Sequence, residues 1–287
     1  MMIETINQMT KNDISKNIDD NVDLTNFNFV LWDTPIILKN KQTNNIMIKK
    51  ISDINDINQY QIWCEKGWDN IKKIVKQKIT CQKIYRIMTY TGIVDIFESN
   101  NLYDMKMENV MLEQIKIGTS LLHSFPNYFH CNQGILTKNK SFIYGQFFGD
   151  DINLEYKEVP NIMLNAQVED IFAFIEGILT TNKYYNNFNR SEKKRIVVLG
   201  KMATQGLYYL LKKIGYNVLI TMIQDDMYCL EFSTIIYECE NKVKNVQQTP
   251  KILFNKNQQK ESTYATYVYS IETQNGKFNA GVGRLIL

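Results

Sequence analysis

Two groups of basic residues are spaced for contact with a polyanion. Lys72, Lys73, Lys76, Lys78, Lys83 and Arg86 form the first, and Arg190, Lys193, Lys194, Arg195 and Lys201 form the second, which follows Tyr184, Tyr185 and Phe188. Cations interleaved with aromatic rings suit a groove that tracks a nucleic-acid backbone while bases stack on exposed rings. The same pattern also fits strand faces solvated by lysine, with the aromatics filling a core. Period-two alternation puts Lys76 and Lys78 on one strand face. The formal net charge of +3 is too balanced to imply nucleic-acid binding by itself, because such binding depends on local clusters that neutralise phosphates.

The other chemistry-bearing residues point away from metal and disulfide chemistry. Cys64, Cys81, Cys131, Cys229 and Cys239 are odd in number and contain no CxxC pair, so they read as reduced, buried thiols and not as a zinc site. His123 and His130 are the only histidines, and His123, in LLHSFP, is assigned a structural role. No cofactor is expected. There is no signal peptide and no apolar run of spanning length, so the expectation is a soluble, intracellular, cytoplasmic protein without membrane contact. With 287 residues, 44% of them hydrophobic and 12% aromatic, the chain can fill one or two cores. Its richness in Asn, Ile and Lys reflects an AT-rich genome more than a mechanism.

Local patterns define the elements that would hold these residues. Residues 1–26 are polar and read as a flexible tail or a weak helix. From Phe29 to about Pro126, short β-branched and aromatic runs alternate with Asn, Asp and Gly breaks, an all-β pattern. Val168, Ile171, Phe172, Ile175, Ile178 and Leu179 recur at helical spacing, with Asn165 available as a cap. Leu207, Leu210, Leu211 and Ile214 predict a second helix that Gly215 ends. Strand character returns at Tyr264–Ile271, where Tyr267, Tyr269 and Ile271 share a face, and Gly281 and Gly283 fit a bend or a close backbone approach.

The last residues, YVYSIETQNGKFNAGVGRLIL from Tyr267 to Leu287, resemble the closing blocks of inteins of viral and archaeal B-family DNA polymerases. LWDTPIILKNKQTNNIMIKKISDI, Leu31 to Ile54, resembles the first block of that family, and Trp63 to Leu102 resembles the second. Asp33, Thr34 and Pro35 match. Trp32 stands for the family's glycine, and Phe29 stands for its nucleophilic cysteine. Phe97 and Asn100 occupy the Thr-x-x-His positions, Ser270 replaces an aspartate, and Asn279 replaces the histidine of a Phe-His-Ala pattern. The chain stops at Leu287, before the family's terminal histidine and asparagine. Splicing needs a nucleophile, groups that polarise the scissile amide and an asparagine that cyclises. The resemblance therefore implies a freestanding, degenerate splicing domain that does not self-excise.

The middle third resembles the LAGLIDADG homing endonuclease carried by such inteins. YGQFFGDD, Tyr144 to Asp151, is similar to its first motif, AFIEGILTTNK, Ala173 to Lys183, to its second, and Gly200 to Val218 to the helix that follows. Each motif helix of the family supplies one carboxylate to a shared metal centre for phosphodiester hydrolysis. Here Asp150 is kept, while Asn182 offers a neutral amide, a poorer ligand for a hard cation. The short separation of the motifs implies that the first endonuclease half is largely deleted. No metal site is expected.

The expected fold is a mainly β, Hint-type (intein-like) fold split by a shortened α/β LAGLIDADG-type insert, α+β overall. The expected boundaries are a tail at 1–26, an N-terminal half at 27–128, an insert at 129–240 and a C-terminal half at 241–287. The expected function is noncovalent binding of DNA or RNA by the two basic clusters, without enzymatic activity. A protein-interaction scaffold in a virus-encoded complex is the alternative, and a residual metal-dependent nuclease is the third. If Phe29, Trp32 and Phe97 converge beside Glu98, the old cleft either offers aromatic faces to a nucleobase or is plugged by large side chains.

Overall fold

Runs rich in β-branched residues form the strands, and most of the strands join one long antiparallel sheet. The computed structural model describes residues 27–79, 83–126, 136–150, 157–181, 193–234, 241–248 and 266–287. The expected tail at 1–26, Asp151, Asn182, Tyr184, Tyr185, Phe188, Arg190, His130, Cys81, Cys131 and Cys239 lie outside these residues.

In chain order the first segment contains β1 (Val30–Leu31), β2 (Pro35–Asn40), β3 (Ile46–Lys50), β4 (Tyr60–Trp63), β5 (Trp68–Ile79), β6 (Ile84–Thr89), β7 (Gly92–Phe97), β8 (Asn101–Tyr103) and β9 (Asn109–Met111). The middle contains α1 (Lys138–Asp150), α2 (Asn161–Leu164), α3 (Val168–Thr181), β10 (Lys194–Leu199), α4 (Lys201–Lys213), β11 (Asn217–Gln224) and β12 (Met227–Ser233). The chain returns with β13 (Val243–Gln248), β14 (Thr266–Thr273) and β15 (Val282–Gly283). The architecture is mainly β with a few helices.

The large sheet has the order β13-β6-β7-β1-β14-β5-β4-β2-β3, with β15 also on β7. β14 enters between β1 and β5, so the C-terminal segment completes a sheet that the N-terminal segment begins. Residues 136–234 lie between the two segments and supply a three-stranded sheet, β10-β12-β11, and the helices.

Alternation gives the large sheet two different faces. Val30, Ile87, Val94, Ile96 and Ile271 point into one core with Leu38, Ile62, Phe278 and Leu287. On the other face Phe29, Val75, Ile84 and Val268 make a small cluster. Met88 and Ile93 join a larger core with Phe174 of α3 and Leu207 of α4. Arg86 and Asp95 lie on this second face, between Ile84 and Met88 on β6 and between Ile93 and Phe97 on β7.

Asn165 does a different job from the helix cap expected of it. Its side-chain amide accepts from the Ile46 N–H at 2.7 Å and donates to the Ile46 carbonyl at 2.9 Å, so it satisfies the edge strand β3. An edge closed in this way offers fewer free groups to another chain. Gly215 has φ +90° just past α4, and Tyr216 donates its N–H back to the Leu211 carbonyl at 3.0 Å, which ends the helix.

Helices α1 and α3 cross through glycine. A Cβ at Gly145 would overlap the Phe174 carbonyl oxygen, one at Gly177 would overlap the Phe142 carbonyl oxygen, and one at Gly149 would overlap the Thr181 hydroxyl. The backbones approach more closely than any larger residue permits. Gly177→Ala is therefore expected to destabilise the protein by about 3 kcal/mol, read from the denaturant midpoint, because the obstacle is backbone and cannot rotate away. A change within about 0.5 kcal/mol would contradict this crossing.

Candidate functional site

Three of the residues aligned to splicing roles meet in space. Phe29 is 2% exposed, just before β1, and its ring lies 6.3 Å from that of Phe97 in an edge-on arrangement. Asn100 is buried and brackets the Phe29 main chain. Its Oδ1 accepts from the Phe29 N–H at 3.0 Å, and its Nδ2 donates to the Phe29 carbonyl at 2.6 Å. The Phe97 N–H also donates to the Phe29 carbonyl, at 3.2 Å. The Phe29 amide nitrogen is thus held by the Asn100 side chain. Leu31 and Phe27 complete the apolar packing around Phe29.

The other residues of that alignment are dispersed. Ser270 is buried in β14 opposite Val75. Asn279 is fully buried, donates to the Leu285 carbonyl at 2.9 Å and leaves its Oδ1 without a hydrogen bond. Trp32 is half-buried in the turn after β1, with the Lys50 ammonium 5.6 Å from its ring, and it does not belong to the Phe29 cluster. Glu98 is exposed. Trp63 and Trp68 pack edge to face at 5.3 Å. Cys64 is buried, and burial, with Asp69 nearby, pushes its thiol up to about 12. A thiol held protonated is a poor nucleophile.

His123 sits where β7 and the C-terminal segment meet. Its Nδ1 is 2.8 Å from the Leu121 carbonyl and its Nε2 is 3.0 Å from the Thr89 hydroxyl. Burial pulls its pKa down to about 3, so the imidazole is neutral near pH 7.

Sequence reasoning missed a buried charge network. Arg86 forks onto Asp95 through Nε at 2.6 Å and Nη2 at 2.9 Å. Lys201 reaches the same carboxylate at 2.9 Å and both oxygens of Asp33 at 2.8 Å. The Asp95 side chain is 1% exposed. Burial alone would raise its pKa, but Lys201 and Arg86 together hold it down at about 2. Burial would likewise lower Lys201, yet Asp95 and Asp33 keep it protonated and its pKa rises. Lys201 opens α4, where a cation opposes the helix dipole, so the two carboxylates are what hold it there. One turn later Gln205 exchanges hydrogen bonds with the Gly283 peptide. The signal that could have revealed the network is Asp95 itself, a carboxylate inside the apolar strand GIVDIF that needs a cation to be buried.

The two basic clusters separate into paired and exposed charges. In the second cluster Lys193 and Arg195 both bind Glu231, at 3.3 and 2.7 Å, and Lys201 is buried as above. Lys194 is exposed. In the first, Arg86 is consumed by Asp95, Lys72 lies 3.9 Å from Glu272, Lys73 is half-buried and Lys83 is exposed. Lys76 and Lys78 are exposed on β5. They stand directly opposite Tyr269 and Tyr267 on β14, and cross-strand partners share a face. The Lys76 ammonium lies 4.1 Å from the Tyr267 ring centroid and 5.7 Å from that of Tyr269.

At the end of α1 Asp150 is exposed. Among the described residues no three His, Cys, Asp or Glu side chains converge as a metal would require, and no helix is long and apolar enough to cross a membrane.

Over 301 aligned residues the chain is 26% identical to a DNA polymerase of Acanthamoeba polyphaga mimivirus. The alignment takes in 79% of this chain and 17% of the polymerase, so the chain spans a small part of that relative's length. No family model matches the chain.

Two outcomes follow from the buried groups. Asp95→Asn leaves Arg86 and Lys201 buried without that counter-charge, and is expected to lower unfolding free energy by about 3–5 kcal/mol in urea titrations. A loss under about 1 kcal/mol would contradict the network. For His123, the folded pKa of about 3 lies below the unfolded value of about 6.5, so its contribution is complete above pH 6.5 and is lost as pH falls toward 3. Thermal midpoints should fall below pH 6.5, and His123→Gln should flatten that fall; an unchanged profile would refute the assignment.

Proposed function

We propose that this chain is an intein-derived protein whose splicing centre has been filled and whose present function is noncovalent nucleic-acid binding. The reading combines a Hint-type β fold with a shortened LAGLIDADG-type insert. Three observations support the ancestry. The C-terminal segment threads its strand β14 between β1 and β5. Phe97 and Asn100, aligned to a threonine and a histidine, converge on the main chain of Phe29, aligned to a nucleophile. Two helices carrying the motif-like runs cross through glycine. The similarity to part of a viral DNA polymerase fits the same origin.

The filled centre has no route to acyl transfer. Phe29 supplies no nucleophile, and the Asn100 amide neither accepts nor donates a proton near neutral pH. The apolar cluster of Phe29, Val75, Ile84 and Val268 instead backs the sheet from behind. Asp150 has no second carboxylate assigned to it, so nuclease activity is not part of the proposal.

The observation that carries nucleic-acid binding is the face of the β5–β14 ribbon, where Lys76 and Lys78 alternate with Tyr267 and Tyr269. Among the described residues neither lysine has a carboxylate within ion-pairing distance. Phosphates would meet these two ammonium groups, with Lys72 contributing less because Glu272 is near. A protein-binding role is the second reading, favoured by exposed apolar side chains around the β8–β9 hairpin, namely Met105, Met107, Met111 and Ile117.

The test is fluorescence anisotropy of labelled DNA and RNA against the full chain across a salt series. Affinity should fall steeply with salt, and Lys76→Ala/Lys78→Ala should reduce the slope of log K against log salt by about 0.7–0.9 per lysine. Unchanged binding in that double variant, or no binding to any probe, would overturn the proposal and turn attention to the hairpin.

A further inference from the structure

We propose that the ribbon face takes single-stranded nucleic acid, with a base stacked on Tyr267 and the adjoining phosphates on Lys76 and Lys78. This rests on the reading above and narrows it to one ligand form.

The ribbon outruns its neighbours at this end. β4 pairs with β5 only at Trp68–Asn70, and β1 pairs with β14 only at Val268 and Tyr269. Among the described residues the Lys78–Tyr267 and Ile79–Thr266 pairs therefore belong to a two-stranded projection with no further strand beside them. Just short of this stretch, on the opposite face, Val75 and Val268 pack with Phe29 and Ile84. The strands that carry the lysines and tyrosines are thus anchored from behind next to the projection.

The two rings differ in what they can offer. Tyr269 is half-buried and packs against the core that contains Val30 and Ile271. Tyr267 is 41% exposed, with the Lys76 ammonium over one face of its ring, so a base would stack on the other face. Tyr267 stands about 6.8 Å along the strand from Tyr269, and the Lys76 ammonium sits between the two rings. A base laid on Tyr267 would bring its own phosphate to Lys76 or Lys78.

Duplex bases are already stacked on one another, so a lone tyrosine on a ribbon cannot reach a base face without unstacking the helix. A duplex would gain from the two lysines alone. A single strand gains from both, and stacking on an aromatic ring tolerates any base. An acidic polypeptide could also pair with the lysines, but it would have no flat π face to lay on Tyr267.

The experiment measures anisotropy of a labelled oligothymidine and of a length-matched duplex with the wild-type chain, Tyr267→Ala, Tyr267→Phe and Lys76→Ala/Lys78→Ala. Circular dichroism and the thermal midpoint verify that each variant is folded. The wild type should bind the single strand more tightly than the duplex. Tyr267→Ala should weaken single-strand binding about 5- to 150-fold, the range for one base stacked on an aromatic ring, while duplex binding changes less than about twofold. Tyr267→Phe, which keeps the ring face, should retain single-strand binding.

If Tyr267→Ala leaves both ligands unchanged while the double lysine variant weakens both, the single-strand assignment is overturned and the broader nucleic-acid reading stands. If neither oligonucleotide binds the wild type, both fall. If polyglutamate displaces the oligothymidine as effectively as unlabelled oligothymidine does, and Tyr267→Ala is silent, the face is a site for acidic protein and the inference is again overturned.

Discussion

Asp95 is the charge around which the two parts of the chain are joined. A carboxylate that is 1% exposed survives ionised because two cations are fixed on it, Arg86 from the neighbouring strand and Lys201 from the first turn of α4. Lys201 also holds Asp33 in the turn after β1. The sheet and the intervening helical segment therefore share one electrostatic centre. Removing a partner from such a centre leaves a buried charge without compensation, which is why its members cannot vary independently. The apolar clusters on either side, Phe29 with Ile84 and Met88 with Ile93, exclude water from it.

The same sheet face links this centre to the proposed function. Phe29 and Phe97 pack in an apolar cluster that includes Val75 and Val268 of the β5–β14 ribbon. This cluster thus supports the strands whose other face presents Lys76, Lys78 and Tyr267.

Much of the local structure was legible from the sequence, because strand and helix periods are read over a few residues. Gly215 ends α4 for a reason that a sequence states directly, a residue free to adopt positive φ. The alternation that puts Tyr267, Tyr269 and Ile271 on one face, and Lys76 with Lys78, is likewise local. What could not be read was the choice of distant partner. Asn165 looked like a helix cap, yet it serves a strand edge 119 residues away. Arg86 looked like one more surface cation among lysines, and Lys201 looked like part of a basic cluster. Both are buried because Asp95 and Asp33 face them, and Lys201 and Asp33 are 168 residues apart. Glu231 neutralises Lys193 and Arg195 from a strand whose register no single-strand pattern reveals.

The most direct test of the central claim, that the β5–β14 ribbon is a nucleic-acid surface, is ultraviolet crosslinking of the full chain to an oligothymidine, with the modified residues located by mass spectrometry. The account predicts adducts on the β5 and β14 peptides, centred on Tyr267. Adducts confined to α1, α3 or the β10-β12-β11 sheet would contradict it.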